Sequence, residues 1–158
     1  MLKYMNEDVA YLEERVRMLS NDDLYMLRET ALKKTSGKLR ICTHPSPGHL
    51  LHEMFIALRK DVYYPPHRSV KTEETHFVLH GLATLYIYTD DGKLERAIPM
   101  GPFDSGRCSY VRLPAGAFHC LIVESDVCIY YETKLGPFDP DDTEIAPFNG
   151  PDARLGGE

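Results

Sequence analysis

Residues 65–81 read PPHRSVKTEETHFVLHG, a stretch that combines histidines, two adjacent glutamates and a closing glycine. His67 and Ser69 are two residues apart, Glu74 follows after four intervening residues, and Gly81 ends the segment. Residues two apart share one face of a β-strand, so such a strand can present metal ligands at i and i+2 with a carboxylate on the next segment. The stretch is therefore a metal site that has lost a ligand, a metal site that has rearranged, or only a polar strand.

The rest of the chain after residue 37 also has the texture of a β-protein. Short runs rich in Val, Ile, Tyr, Phe and Thr alternate with Pro, Gly and Asp at intervals of roughly ten residues, which is typical of a sandwich or barrel. The run LLHEMFIAL (residues 50–58) fits both a helix and a strand. We favour a strand, because Met54, Ile56 and Leu58 alternate along it.

The first 37 residues are predicted to be helical. Apolar residues recur there at spacings of three and four: Val9, Leu12, Val16 and Leu19. This periodicity predicts a helix from about Asn6 to Leu19. Ser20, with Asp23 three residues later, resembles a helix start, and Gly37 would end the second helix.

Length and composition limit the classes of protein to consider. The 158 residues suit one domain, which we divide into a helical extension (1–37), a barrel (38–148) and a disordered tail (149–158). Lys and Arg number 18 against 24 Asp and Glu, a net charge of −6 that argues against nucleic acid as a partner.

The expected location is the cytoplasm, with no membrane partner. No apolar run approaches the roughly 20 residues of a membrane-spanning helix, and the charged N-terminus is unlike a signal peptide. The four cysteines contain no C-x-x-C pair, so we expect them to be reduced and mostly buried.

A second stretch, PAGAFH (residues 114–119), places His119 at the start of a strand after a tight turn. The order H-x-(H)-x4-E-x6-G, then P-x-G-x-x-H, resembles the two motifs of the cupin superfamily. That resemblance implies a mostly β double-stranded β-helix barrel of jelly-roll type. The lead-in DLYMLRETALKKTSGKLRICTHPSPGH and the exit YYETKLGPFDP make the chain similar to WbuC-type cupin-fold metalloproteins over roughly residues 22–148.

The resemblance implies the ligands of one divalent transition metal ion. His67, Glu74 and His119 occupy the family's ligand positions, and Ser69 replaces its second histidine. Two imidazoles and a carboxylate suit iron, zinc, nickel or manganese alike. His76, two residues from Glu74, either compensates for the lost histidine, acts as a general base or lines the pocket.

Three further residues have two interpretations each. His44, in THPSP, either reaches the mouth of the pocket as a candidate general base or braces a loop. Arg68 and Lys71 either bind an anionic substrate or are solvated charges near a strand end.

The functional hypothesis is a small-molecule metalloenzyme, an isomerase or epimerase or a dioxygenase-like cupin. Some WbuC-type proteins are linked to lipopolysaccharide O-antigen gene clusters, which implies a carbohydrate or nucleotide-sugar-like substrate. The alternative is a non-catalytic cupin that binds or senses a small ligand through a degenerate metal site. The resemblance also implies a homodimer, with the first helix as the candidate interface.

Overall fold

The computed structural model describes residues 1–151, which form two β-sheets and one α-helix. The helix is α1 (Asn21–Lys33). The strands are, in chain order, β1 (Leu2–Asn6), β2 (Val9–Leu12), β3 (Lys38–Cys42), β4 (Leu51–Arg59), β5 (His67–Ser69), β6 (Glu74–His80), β7 (Ala83–Tyr88), β8 (Leu94–Met100), β9 (Tyr110–Leu113), β10 (Phe118–Val123), β11 (Val127–Leu135) and β12 (Thr143–Ile145). The mostly β fold expected from the sequence is confirmed.

The larger sheet has the strand order β1-β2-β3-β4-β11-β6-β9, and the smaller has the order β12-β5-β10-β7-β8. Every pair is antiparallel except β2 with β3. Neighbours such as β4 and β11 are far apart in the chain, so connections cross between the sheets as in jelly rolls. These crossings bring β5, β6 and β10, which carry the motif residues, to the same region of the interior.

The main core lies between the inner faces of the two sheets. Both sheets contribute buried apolar side chains to it: Cys42, Met54, Ile56, Leu58, Val78, Ala83, Leu85, Met100, Leu113, Leu121, Val123, Cys128 and Tyr130. A second cluster packs α1 against the outer face of the larger sheet through Leu27 and Ala31. The C-terminal segment covers the outer face of the smaller sheet, where Phe148 contacts Tyr88 and Phe118.

The predicted helix from Asn6 to Leu19 is wrong, because β1 and β2 form an antiparallel hairpin there. β2 then adds to the edge of β3. Val9 packs toward the barrel core and Leu12 toward the helix side, so the segment buries alternate residues on two faces. Pairing with β3 overrides the helical spacing of the apolar residues. The helix expected at a dimer interface is therefore replaced by a hairpin.

The second predicted helix is confirmed, with the start the sequence indicated. Ser20 is the N-cap of α1, and its side chain and that of Asp23 form a reciprocal capping box. The helix ends at Lys33, and Gly37 follows with a φ of +67°. Gly37 lies in the left-handed region that glycine adopts without strain.

Two other predictions about the barrel can be compared with the structure. The segment Leu51–Arg59 is a strand, with Met54, Ile56 and Leu58 buried on one face. All four cysteines are free, and three are buried while Cys108 is exposed. Of the predicted tail (149–158), residues 152–158 lie outside the described part of the chain.

Gly81, the last residue of the opening stretch, makes a turn that no other residue type would make without strain. Its φ is +80°, and a Cβ atom built on it would lie 2.1 Å from the carbonyl oxygen of Val127. Both observations require glycine between β6 and β7. Within residues 1–151, the structure contains no helix long and apolar enough to cross a membrane.

Candidate metal centre

The two sheets meet at a group of polar side chains inside the barrel. In β6, burial alternates so that Glu74, His76 and Val78 face the interior. Glu73 lies outside and accepts a hydrogen bond from Nε of Arg112 at 2.9 Å. Adjacent strand residues point to opposite faces, so the two neighbouring glutamates have different surroundings.

Three buried side chains form a cluster that could hold a metal ion. Glu74, His76 and His119 each offer a ligand atom, and these atoms lie within 4.8 Å of one another. Oε1 of Glu74 is 2.8 Å from Nε2 of His119 and 3.3 Å from Nε2 of His76. β6 of the larger sheet supplies Glu74 and His76, and β10 of the smaller sheet supplies His119.

Three of the four ring nitrogens of His76 and His119 lack a properly directed hydrogen bond among the described residues. Nδ1 of His119 lies 3.0 Å from the carbonyl oxygen of Ala117, so it must donate, and Nε2 is left to face the carboxylate. Among residues 1–151, this Nε2 and both ring nitrogens of His76 are buried without a properly directed hydrogen bond. A backbone carbonyl that fixes one nitrogen while the other is free is the usual arrangement of a metal-binding histidine. The donor set therefore fits a divalent transition metal ion.

Charges inside the barrel keep this carboxylate ionised. Burial alone would raise the pKa of Glu74, but contacts with His119 and His76 lower it well below its usual value. For His76 the two effects have the opposite directions: burial would lower its pKa, but the carboxylates of Glu74 and Glu132 raise it. Oε2 of Glu132 lies 3.7 Å from Nε2 of His76. The interior thus favours a positive charge beside His76, either a proton or a metal ion.

Ser69 faces this cluster directly. The residue is buried, and its hydroxyl donates a hydrogen bond to Oε2 of Glu74 at 2.8 Å. This bond occupies one carboxylate oxygen and leaves Oε1 toward His76 and His119. The serine at the expected ligand position therefore orients the carboxylate.

His67 lies beside the cluster, outside the group of three whose ligand atoms converge. Its ring centroid is 4.7 Å from that of His119, the residue opposite it in the β5–β10 pair. Nδ1 lies 3.0 Å from the carbonyl oxygen of Pro65, which leaves Nε2 as the nitrogen free to bind. Burial and the neighbouring His119 lower the pKa of His67, so its ring is neutral at neutral pH.

The two basic residues considered for substrate binding are not brought to the cluster. Arg68 points away from His67 and Ser69, forming ion pairs with Glu144 at 2.8 Å and Asp90 at 3.0 Å. Its guanidinium also lies over the ring of Phe118 on the outer face of the smaller sheet. The exposed ammonium group of Lys71 is 2.8 Å from a carboxylate oxygen of Asp139.

A buried carboxylate fastens the C-terminal segment near the same end of the barrel. Asp142 accepts hydrogen bonds from the backbone N–H of Lys71 and the hydroxyl of Thr72, both at 2.6 Å. The ammonium of Lys134 is 3.0 Å away. Burial would raise the pKa of Asp142, but these hydrogen bonds and the lysine lower it.

His44 is buried in a separate polar group at the edge of the barrel. Its ring stacks on that of His52 at a centroid distance of 4.1 Å, and its Nε2 lies 3.4 Å from the hydroxyl of Tyr11. His52 is opposite Lys134, which is in turn opposite Glu74. Strands β4 and β11 therefore separate His44 from the cluster.

The sequence analysis missed Glu132, the second carboxylate of the interior. In β11 the residues Cys128, Tyr130 and Glu132 alternate on the inner face, opposite Leu58, Ile56 and Met54. That alternation is visible in the sequence. However, only the pairing with β4 identifies which of the two faces is internal.

Solved structures of several proteins share this fold. Protein SO0799 from Shewanella oneidensis is 20% identical, with 81% of this chain and 85% of that one covered and a TM-score of 0.55. PAC13 from Streptomyces, solved with uridine, is 14% identical, with 74% and 84% covered and a TM-score of 0.53. CapF from Staphylococcus aureus, a capsular polysaccharide assembling protein, is 14% identical, with 68% and 29% covered and a TM-score of 0.54.

These neighbours include cupin-fold proteins, and the likeness establishes the fold. No curated protein matches the chain in sequence. A protein-family model described as "Domain of unknown function (DUF6016)" matches residues 19–100, which is more than half of the 158 residues. The chain therefore belongs to the DUF6016 family and adopts the fold of the cupin superfamily.

Proposed function

We propose that the protein is a metal-binding cupin in which Glu74, His76 and His119 hold one divalent transition metal ion. The observation that carries the proposal is the convergence of two buried ring nitrogens, Nε2 of His76 and Nε2 of His119, on Oε1 of Glu74 without a properly directed hydrogen bond. A buried polar atom without a partner costs roughly 1–3 kcal/mol. A cation bound between these groups would remove that cost, and the carboxylate would balance part of its charge.

The family resemblance implies His67 as a ligand together with Glu74 and His119. The proposal takes His76 as the third ligand, because its ligand atom lies in the converging group. His67 closes the site on the side of β5, with Nε2 available. Zinc affinities of two variants separate these roles: His76→Ala should lose more affinity than His67→Ala, and the opposite order would make His67 the third ligand.

Two imidazoles and a carboxylate leave coordination positions open, as in catalytic sites, and suit iron, zinc, nickel or manganese. The ion, when bound, would act as a Lewis acid on an oxygen of the substrate. Ser69 would orient Glu74, and the carbonyl of Ala117 would hold the tautomer of His119. Proton transfer would then be carried out by Glu132, because ligation occupies His76.

We infer that the substrate is a small carbohydrate or nucleotide-sugar-like molecule, and that the reaction is isomerase-like, epimerase-like or dioxygenase-like. The resemblance to WbuC-type proteins supports the substrate class. Two neighbours with the same fold, PAC13 solved with uridine and the polysaccharide assembling protein CapF, are compatible with it. A site enclosed by two sheets would admit a small molecule more readily than a polymer.

A second candidate is a cupin that binds a small ligand without catalysis. One observation favours it: Glu74, with its lowered pKa, and His76, with its raised pKa, can form a buried ion pair that needs no metal. Ser69 would complete this pair by its hydrogen bond. In that case the site would be structural and the pocket would hold only the ligand.

The deciding experiment is elemental analysis of protein purified without added metal. The wild type and Glu73→Gln should contain about one metal ion per chain, whereas Glu74→Gln should contain little. Glu73→Gln is a matched control, because the neighbouring carboxylate lies outside and pairs with Arg112. A wild type free of metal but carrying an organic ligand would support the binding protein, and equal losses in both variants would refute the ligand assignment.

A further inference from the structure

Arg40 is a basic residue of β3 that points into the barrel. In this strand Leu39 and Ile41 pack on the helix side, so Arg40 and Cys42 face the opposite way. Cys42 belongs to the barrel core, as does Ile56, the residue opposite Arg40 on β4. The guanidinium group is therefore directed toward the interior that also contains the cluster of Glu74, His76 and His119.

Within residues 1–151, this guanidinium makes no side-chain hydrogen bond and has no carboxylate within the 4.0 Å of an ion pair. Burial would lower the pKa of Arg40, but the negative charge of Glu132 is the largest effect that raises it, so the group stays charged. Arginine presents five N–H donors in a planar fork that matches a carboxylate. A charged, partly buried fork without a partner has the chemistry of an anion-binding group.

The strand order places Arg40 on the same sheet as Glu74 and His76 of the cluster, with two strands between them. β4 and β11 lie between β3 and β6, so the two outer backbones are separated by three strand spacings, roughly 14 Å along the sheet. The Arg40 and His76 side chains both project from the inner face of this sheet, on opposite sides of β4 and β11. A small molecule lying on the inner face of β4 and β11 would contact both side chains.

Charge balance indicates what kind of molecule this is. Lys134 is paired with Asp142. When the imidazoles are neutral, as metal binding requires, Arg40 is the positive group among residues 1–151 that faces the interior, and Glu74 and Glu132 are the negative groups. A divalent cation at the cluster would turn this excess of one negative charge into an excess of one positive charge. A ligand with a single negative charge would then neutralise the interior.

We propose that Arg40 binds the carboxylate of a small acidic substrate, such as a sugar acid, and directs its other end toward Glu74, His76 and His119. The inference rests on the proposed function, because it uses the metal for the charge balance. It narrows that function to a carboxylate-bearing substrate. A phosphate monoester, with nearly two negative charges, fits the single positive excess less well.

The test compares D-glucuronate with D-glucose, two probes that differ in one carboxylate, by calorimetric titration of the zinc-loaded protein. The wild type should prefer glucuronate by at least about tenfold, since a hydrogen bond to a charged group contributes roughly 1.5–3 kcal/mol. Arg40→Gln should lose that preference. Arg96→Gln, which changes an exposed arginine of β8, should keep it.

Three further measurements keep the test decisive. Arg40→Lys keeps the charge but not the fork, so it should retain only part of the preference; if Arg40→Gln fails to fold, this variant carries the test. Equal binding of both sugars by the wild type, or an unchanged preference in Arg40→Gln, would overturn the carboxylate site. Inorganic phosphate that displaces glucuronate at equal concentration would overturn the choice of carboxylate. A preference that depends on Arg40 in metal-free protein would keep the carboxylate site and overturn only the role given to the metal in the charge balance.

Discussion

Replacing Ser69 by alanine removes the hydroxyl that holds one oxygen of Glu74 inside the barrel. In the wild type, this hydroxyl donates to Oε2 at 2.8 Å, in a buried position where water does not compete. The carboxylate of Ser69→Ala would be free to rotate, so Oε1 would no longer be fixed toward His76 and His119. We expect the variant to fold and to bind zinc more weakly than the wild type.

Two independent estimates of the size of this effect agree. A hydrogen bond to a charged group contributes roughly 1.5–3 kcal/mol. Loss of a group that orients a metal ligand typically lowers metal affinity by about 10–100-fold, which corresponds to about 1.4–2.8 kcal/mol at 1.4 kcal/mol per tenfold change. We therefore expect the zinc affinity of Ser69→Ala to fall by about 10–100-fold.

The assay is a competition titration of zinc against a chromophoric chelator at pH 7.5. Ser36→Ala is the matched control, because the Ser36 hydroxyl donates a similar hydrogen bond to a carboxylate oxygen of Asp8 at 2.7 Å, away from the metal cluster. This control should leave zinc affinity unchanged. If Ser69→Ala binds zinc as tightly as the wild type, Ser69 does not orient the carboxylate. An equal loss in both variants would mean that the effect comes from general destabilisation.

Three other perturbations test the fold and the site. Gly81→Ala should lower the free energy of unfolding by more than about 1 kcal/mol in urea denaturation, and by more than Gly116→Ala, which shares a positive φ but has open space around its Cβ position. Thermal unfolding should show that the wild type loses stability as pH falls below about 4. The reason is that the folded-state pKa of Asp142 lies below its unfolded value of about 3.9, so the stabilisation by this carboxylate is lost when it is protonated. Asp142→Asn should lower the free energy of unfolding by about 2 kcal/mol at pH 7 and should make stability depend less on pH. Ser69→His/His76→Ala should bind zinc at least about tenfold more tightly than His76→Ala, because position 69 faces the cluster; equal affinities would show that a histidine there does not reach the ion.

The limits of sequence reasoning are clearest at the N-terminus. Ser20 and Asp23 predicted the start of α1 correctly, because a capping box is made by residues three apart and needs no distant partner. Val9 and Leu12 were assigned to a helix, but they belong to a strand that completes the edge of β3. Their spacing fits a helix only if one face is buried, whereas the structure buries both faces.

The sequence by itself determined that Glu74 and His76, two residues apart, share one face of β6. Alternation along a strand is a local property, so it directs Glu74 and Glu73 to opposite faces however the rest of the chain folds. Only the tertiary structure decided that Ser69 would hold Glu74, that His76 would converge with His119, and that Arg40 would face the same interior. The reason is physical: these contacts join strands that are distant in the chain, and their pairing depends on how two sheets close around one core rather than on any local pattern.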